Sequence, residues 1–150
     1  GHLQSNEIHQ LFAVPHLWAI HSVDDQDLLE KLLKAETRLV QPLNLFLQYN
    51  TSKEEAKSGF EDYPSLKMTA EKIPAQSQLK LYGLMTMGTL RTEHFEEEAR
   101  RCFQELNHIK DRLSQELSLP LMTSMGMSQD YQIALEEKAN WIRLGTMMFT

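Results

Sequence analysis

Five short apolar runs, separated by longer segments of helical period, set the terms for what this chain can fold into. The runs are Leu17–Val23, Leu43–Asn50, Leu79–Met87, Leu119–Met125 and Trp141–Met147. Most are near-continuous in apolar residues rather than alternating, as strands covered on both faces are. Strict strand–helix alternation with connections of this length implies a parallel sheet, either doubly wound or closed as a barrel. At 150 residues and 41% hydrophobic, the chain can bury one sizeable core, and residues 1–150 read as a single domain.

The intervening helices carry their own start signals. After the first run, Asp24, Asp25 and Asp27 crowd a first turn while Lys34 and Arg38 come late, as the helix dipole favours. Leu28, Leu29, Leu32, Leu33 and Leu39 form the apolar stripe, and Asp27–Lys31 and Glu30–Lys34 are spaced as acid-first i,i+4 pairs. The longest helix is expected from Thr92, as N-cap, to Leu117. Its stripe is Phe95, Ala99, Cys102, Phe103, Leu106, Ile109, Leu113 and Leu117, with Glu96–Arg100 and Glu97–Arg101 on the other side. Further helices are expected near Asn6–Ala13, within Tyr63–Ile73, and from Ser128 to about Lys138. The chain thus opens on a helix that no strand precedes and stops directly after a strand, so both ends read as cut.

A net charge of −6 and dispersed basic residues argue against nucleic acid or an anionic membrane as the main partner. The single cysteine, Cys102, fits a reducing compartment, and no apolar run reaches the roughly 20 residues of a membrane span, which makes the cytoplasm the expected location. Cys102 falls on an apolar stripe and reads as core. The six histidines show no HExxH spacing, and GxSxG, P-loop and GxGxxG patterns are absent, so no metal site and no catalytic group is assigned.

Three strand ends remain as candidates for chemistry. Thr123–Ser128 is a Gly-containing turn from strand to helix, where backbone N–H groups, a helix dipole and the hydroxyls of Ser124 and Ser128 could meet an anion; as a bare signal it is weak, since most such loops are simply helix caps. In Ile142-Arg143-Leu144-Gly145-Thr146, Gly145 and Thr146 could offer an N–H and a hydroxyl to a phosphate. Arg143 projects from an otherwise apolar strand and needs either a structural salt bridge or an anionic or heterocyclic ligand. Loops after the last two strands of a barrel are common phosphate sites. Gln48–Gly59 is a third polar loop at a strand's C-terminal end, readable as a solvated turn over Lys53–Glu55.

Taken together, SMGMSQD at Ser124–Asp130 followed by WIRLGTMMF at Trp141–Phe149 resembles the closing signature of the pyridoxal-phosphate homeostasis family, single-domain relatives of the alanine racemase barrel. GHLQSN at Gly1–Asn6, IHSVD at Ile20–Asp24, QYNTSKEEAKSG at Gln48–Gly59 and YGLMTM at Tyr82–Met87 fall in the family's order. The resemblance implies a (β/α)8 TIM-type barrel with pyridoxal 5'-phosphate (PLP) at its C-terminal mouth, present here as about five strands with the first three missing. It implies that Ser124, the Met125–Gly126 backbone, Gly145 and Thr146 hold the cofactor phosphate, with Arg143 near the pyridine nitrogen, where it weakens the ring as an electron sink. The family's Schiff-base lysine sits on the first strand, and none of the nine lysines here occupies a matching context. Thr150 stands where a glycine is usual, and Lys138 where a glycine often ends a helix, so that Asn140 is expected to take the left-handed position.

The expected function is non-enzymatic PLP binding for cofactor buffering or delivery, with weak or absent binding by the partial barrel itself. The alternatives are a PLP-dependent alanine racemase, which would need a tyrosine base from a second domain, and a scaffold without cofactor function. Opening a barrel exposes strand edges and an interior face, so self-association is expected as well.

Overall fold

The computed structural model describes residues 2–89 and 92–149; Gly1 and Thr150, two positions of the family comparison above, lie outside the described residues. A 3-10 turn (Ser5–Glu7) leads into helix α1 (Ile8–Phe12), and the chain then runs β1 (Ala19–Val23), α2 (Gln26–Ala35), β2 (Leu43–Gln48), α3 (Tyr63–Glu71), β3 (Leu79–Met85), α4 (Phe95–Leu117), β4 (Met122–Met127), α5 (Tyr131–Glu136) and β5 (Trp141–Arg143). The strands form one all-parallel sheet in the order β1-β2-β3-β4-β5. Each crossover carries a helix onto the outer face, where Leu29, Leu32, Leu66, Phe103 and Leu106 are fully buried against the strand leucines.

The sheet is strongly curled. Adjacent strands lie about 4.8 Å apart, so β1 and β4 would be separated by roughly 14 Å in a flat sheet. Instead the His21 ring on β1 lies 2.8 Å from the Ser124 hydroxyl on β4. Trp18, just ahead of β1, stacks on Trp141 of β5 with ring centroids 5.1 Å apart. Five parallel strands curled in this way make a half-barrel. Phe46 and Tyr82 join the two tryptophans on the concave side. Phe46 is fully buried, whereas Trp18 and Trp141 remain 44% and 38% exposed, so the concave face is only partly covered.

One glycine permits the β3–β4 contact. A Cβ added at Gly83 would lie 2.2 Å from the Met122 carbonyl oxygen, closer than any side chain could be accommodated. Gly83→Ala is therefore expected to destabilise the chain by about 1–3 kcal/mol, measurable as a lowered urea midpoint.

Several element boundaries differ from the sequence expectations, each for a local reason. The long helix starts at Phe95, not after Thr92: the Glu98 N–H bonds the His94 carbonyl, and the Thr92 hydroxyl instead meets the Glu98 carboxylate. The fourth strand starts at Met122 because α4 closes through a left-handed Ser118 and Leu119 N–H to Ser114 O, leaving Leu119–Leu121 to make the turn. The fifth strand ends at Arg143, since Gly145 begins a turn in which the Met148 N–H bonds the Gly145 carbonyl. Lys138, not Asn140, takes the left-handed position after α5 (φ 63°). The Asn140 side chain is used otherwise, accepting from the Thr123 N–H at 2.9 Å.

The anticipated i,i+4 pairs give way to contacts between elements. Glu30 binds Lys72 (2.8 Å), Lys31 donates to Ser5, and Arg100 clamps Glu136 and Glu137 of α5 at 2.5 and 2.7 Å. Arg101 bonds Glu105 and the Thr51 carbonyl. Between α3 and α4, Glu116 accepts from the Tyr63 hydroxyl (2.7 Å), Lys67 (3.0 Å) and Arg112 (3.1 Å). These donors, the Tyr63 hydroxyl foremost, hold the Glu116 carboxyl down to about 2. Burial first, and then the bond to Glu116, pushes Tyr63 up to about 12.

The sign of each shift sets a pH window. A depressed carboxyl contributes fully above its ordinary value near 4.3 and loses the contribution as pH falls through about 2. A raised phenol contributes fully below about 10 and loses it as pH rises through about 12. Thermal melts of the parent and Glu116→Gln should differ most near pH 7 and converge as pH falls below about 4.

Candidate functional site

A cavity of about 1230 Å³ opens at the C-terminal ends of the strands, where the loops of a parallel half-barrel converge. One side is formed by Met127, Ser128, Gln129 and Asp130 after β4 together with Arg143, Leu144, Gly145 and Thr146 after β5. His21 and Ser22 of β1 line it as well, and Gln48, Ala56, Lys57 and Ser58 come from the β2 loop.

Arg143 is the centre of the site. Its Nη1 donates to the Ser124 Oγ at 2.9 Å and its Nη2 to the Thr86 carbonyl at 2.9 Å, with the Met87 sulfur 3.6 Å away. The guanidinium thus ties β5 to β4 and to the end of β3. Burial lowers its pKa to about 10, partly offset by the nearby Asp130 charge, so it stays a cation at neutral pH. No salt bridge to Arg143 occurs among the described residues, and its two named oxygen partners are neutral. Its structural partners are thus hydrogen-bond acceptors and not a carboxylate.

Around it lie three titratable side chains that sequence reasoning gave no role. His21 Nδ1 meets the Ser124 Oγ at 2.8 Å while its ring stacks on Phe46 with centroids 4.1 Å apart. Burial, and secondarily the Arg143 charge, lowers its pKa to about 4. Asp130 accepts the Met127 N–H at 2.7 Å; its pKa is raised by burial against the opposing pull of that N–H, Arg143 and Lys57. Lys57 donates to Glu54 (3.2 Å) and to the Gly88 carbonyl (2.5 Å). The usable signal for His21 was a histidine inside an otherwise apolar strand; Lys57 and Asp130 lay inside the Gln48–Gly59 and Ser124–Asp130 blocks, but nothing singled them out from their neighbours.

The six residues singled out from the sequence divide into two groups. Arg143, Gly145 and Thr146 line the cavity. Ser124 and Met125 are fully buried within β4 behind it, and neither they nor Gly126 are among its lining residues. Gly126 has φ +97°, and a Cβ there would lie 2.6 Å from the Ala134 Cβ, so the glycine lets α5 pack against the strand. Because β4 runs on to Met127, the residue at its mouth is Ser128, whose hydroxyl accepts from the Met147 N–H at 3.4 Å. Ser128 therefore stands beside Gly145 and Thr146. A Cβ at Gly145 would meet nothing within 4 Å, which leaves open space over this turn.

The comparisons with known proteins agree with this architecture. The model of the alanine racemase N-terminal domain family matches residues 2–150. The pyridoxal phosphate homeostasis protein of Schizosaccharomyces pombe is 32% identical over 149 residues, covering 99% of this chain and 62% of that protein. The protein of the same name from Pseudomonas aeruginosa is 36% identical, over 99% of this chain and 61% of its own length. Among solved structures, PipY of Synechococcus elongatus with PLP bound superposes with a TM-score of 0.81 at 32% identity, covering all of this chain and 68% of that one. Alanine racemase from Clostridium difficile shares the fold alone, with a TM-score of 0.70 at 10% identity. The chain belongs to the alanine racemase N-terminal-domain family, in the branch of the pyridoxal phosphate homeostasis proteins. It spans about three fifths of the length of the curated relatives it matches. Among the described residues, no helix is long and apolar enough to cross a membrane, and no cluster of metal-ligating side chains occurs.

The open space over Gly145 separates fold from site. Gly145→Val is expected to move the thermal midpoint by no more than a couple of degrees, as an exposed substitution without new contacts does, while narrowing the turn between Ser128 and Thr146. Melting curves and anion titrations of the two proteins check both halves of that statement.

Proposed function

We propose that the chain binds PLP non-covalently at this cavity and that the protein it represents buffers or delivers the cofactor without turning over a substrate. The observation that carries the reading is Arg143: a cation at the cavity wall, held by a hydroxyl and a carbonyl, with no carboxylate ion pair among the described residues. A guanidinium can only donate, so it suits an acceptor such as a pyridine nitrogen or a phosphate oxygen. The donor set fits the cofactor at both ends. Ser128, Gly145 and Thr146 would take the phosphate, with Ser128 in the place that the sequence suggested for Ser124, while Ser124 would support Arg143 from behind. PipY with PLP bound and the homeostasis proteins support PLP as the ligand.

PLP when bound supplies an aldehyde and an electron-withdrawing ring. The chain's own residues would bind and orient it: Ser128 and the Gly145–Met148 turn would hold the anionic end, and Arg143, which can only donate, would favour an unprotonated ring nitrogen. Racemisation, the alternative reading, needs groups free to take and return a proton at the substrate carbon. His21, Asp130 and Lys57 are each engaged in hydrogen bonds that hold the scaffold, which favours binding over turnover. Lys57 lines the cavity, and its ammonium is held by Glu54 and the Gly88 carbonyl and not directed into the open space.

The test combines PLP titration, borohydride reduction with peptide mapping, and an assay of alanine racemisation. Weak but saturable binding is expected, with no reduced adduct on any lysine and no racemisation. Arg143→Ala should weaken PLP binding by at least about tenfold, or 1.4 kcal/mol, and Arg143→Lys should not restore it, because the two-point contact to Ser124 and Thr86 needs the planar fork. A stoichiometric lysine adduct or robust racemisation overturns the reading.

The half-open concave face carries a second proposal, that copies of this chain associate through it. Partly exposed Trp18 and Trp141 give that face an apolar surface larger than isolated side chains present. Light scattering should show a species larger than a monomer, and Trp18→Ser with Trp141→Ser should shift it toward monomer.

A further inference from the structure

The Ser124 hydroxyl is fully buried and carries one proton, and it lies between two nitrogens. Arg143 Nη1 can only donate, so the Ser124 oxygen accepts from it. The oxygen's second lone pair could take an Nδ1–H as well, but among the described residues the only other partner for the buried Ser124 proton is His21 Nδ1. Satisfying that proton requires a lone pair on Nδ1 and leaves the imidazole proton on Nε2. The surroundings favour this neutral ring. Phe46 lies against its face at 4.1 Å, Trp141 stands edge-on at 6.1 Å, and burial with the Arg143 charge depresses protonation to about pH 4. The charged groups facing it are Arg143 and, beyond that, Asp130 at the entry to α5.

We propose that His21 is a positioning residue of the site: as the Nε2–H tautomer it orients the Ser124 hydroxyl, and through it fixes the Arg143 guanidinium at the cavity wall. The chain of contacts runs from β1 through β4 to β5, so the strand most distant from Arg143 in the sheet sets the orientation of its head. Without the acceptor on His21, the buried Ser124 proton has no partner and the hydroxyl turns. The Nη1 bond to Ser124 then loses the fixed lone-pair direction that aligned it, while the Nη2 bond to the Thr86 carbonyl is unchanged. Arg143 keeps its charge and its place on β5, but one of the two bonds that fix its plane is loosened. The ligand half of this inference rests on the PLP reading; the tautomer half does not.

Two variants separate positioning from bulk structure. His21→Phe keeps an aromatic ring against Phe46 and removes the acceptor. His21→Asn restores an acceptor oxygen near the position of Nδ1. At pH 7, 15N NMR of the parent should show His21 Nδ1 unprotonated and hydrogen-bonded and Nε2 protonated, with the Arg143 guanidinium signals sharp. In His21→Phe those guanidinium signals should average, and in His21→Asn they should sharpen again. PLP affinity should fall about tenfold in His21→Phe, the scale of one misplaced charge-assisted hydrogen bond, and return to within about threefold of the parent in His21→Asn. Inorganic phosphate, which needs only the Ser128–Thr146 turn, should bind all three within about twofold. An Nδ1–H tautomer, equal loss of both ligands in His21→Phe, or a His21→Phe protein that binds PLP like the parent overturns the proposal. Should the parent take up no PLP, the cofactor reading fails alone, and the tautomer and guanidinium spectra still decide the positioning.

Discussion

The hydrogen bonds converging on Ser124 tie together strands that a flat sheet would hold well apart. Arg143 and His21 both reach the same buried hydroxyl, one from β5 and the other from β1, and Arg143 also reaches the carbonyl at the end of β3. A guanidinium taken out of water loses hydration that only good hydrogen-bond geometry can offset. Here the compensation comes from neutral oxygens, and this leaves the positive charge unneutralised at the edge of the cavity. The curl of the sheet and the chemistry of the site share one cause: side chains on the concave face must meet, and the polar ones meet at the mouth.

The remainder of the fold supports that arrangement from outside. Helices α4 and α5 are clamped by Arg100, and α3 is tied to α4 by the cluster around Glu116. Close approach at two glycines keeps these layers in register, Gly83 between strands and Gly126 beneath α5. Deeper in the half-barrel, Trp18, Phe46, Tyr82 and Trp141 fill the space that the curl creates. This part of the concave face is aromatic, whereas the cavity at the strand ends brings His21, Lys57, Asp130 and Arg143 together.

Much of the architecture was legible from residue pattern. The five apolar runs are the five strands, and the stripes of α2 and α4 are the buried faces, because periodicity reports directly which side chains avoid water. Arg143, Gly145 and Thr146 stood out as candidates because an arginine followed by a glycine at a strand end is out of place in a core, and all three line the cavity. Ser124 was harder. Its position in a Ser/Gly-rich stretch gave no way to tell the last buried strand residue from the first loop residue. The strand runs two residues further than the apolar run, to Met127, which places Ser124 behind the cavity and brings Ser128 forward. The surface pairs were misjudged for a related reason: a sequence displays neighbours along its own helix, whereas Arg100, Glu30 and Lys31 found partners on other elements.

By itself, then, the sequence determined the alternation of elements, the faces they bury, the family, and the presence of a cationic residue with a glycine turn at the end of the last strand. These follow from solvent avoidance and backbone preference, which act over a few residues. Only the tertiary structure decided that His21 and Arg143, 122 positions apart, share one hydroxyl, and that Ser128 rather than Ser124 faces the cavity. The physical reason is that both depend on how far the sheet curls and where each strand stops in register with its neighbour. Those quantities are set by packing across the whole half-barrel, and no single segment contains them.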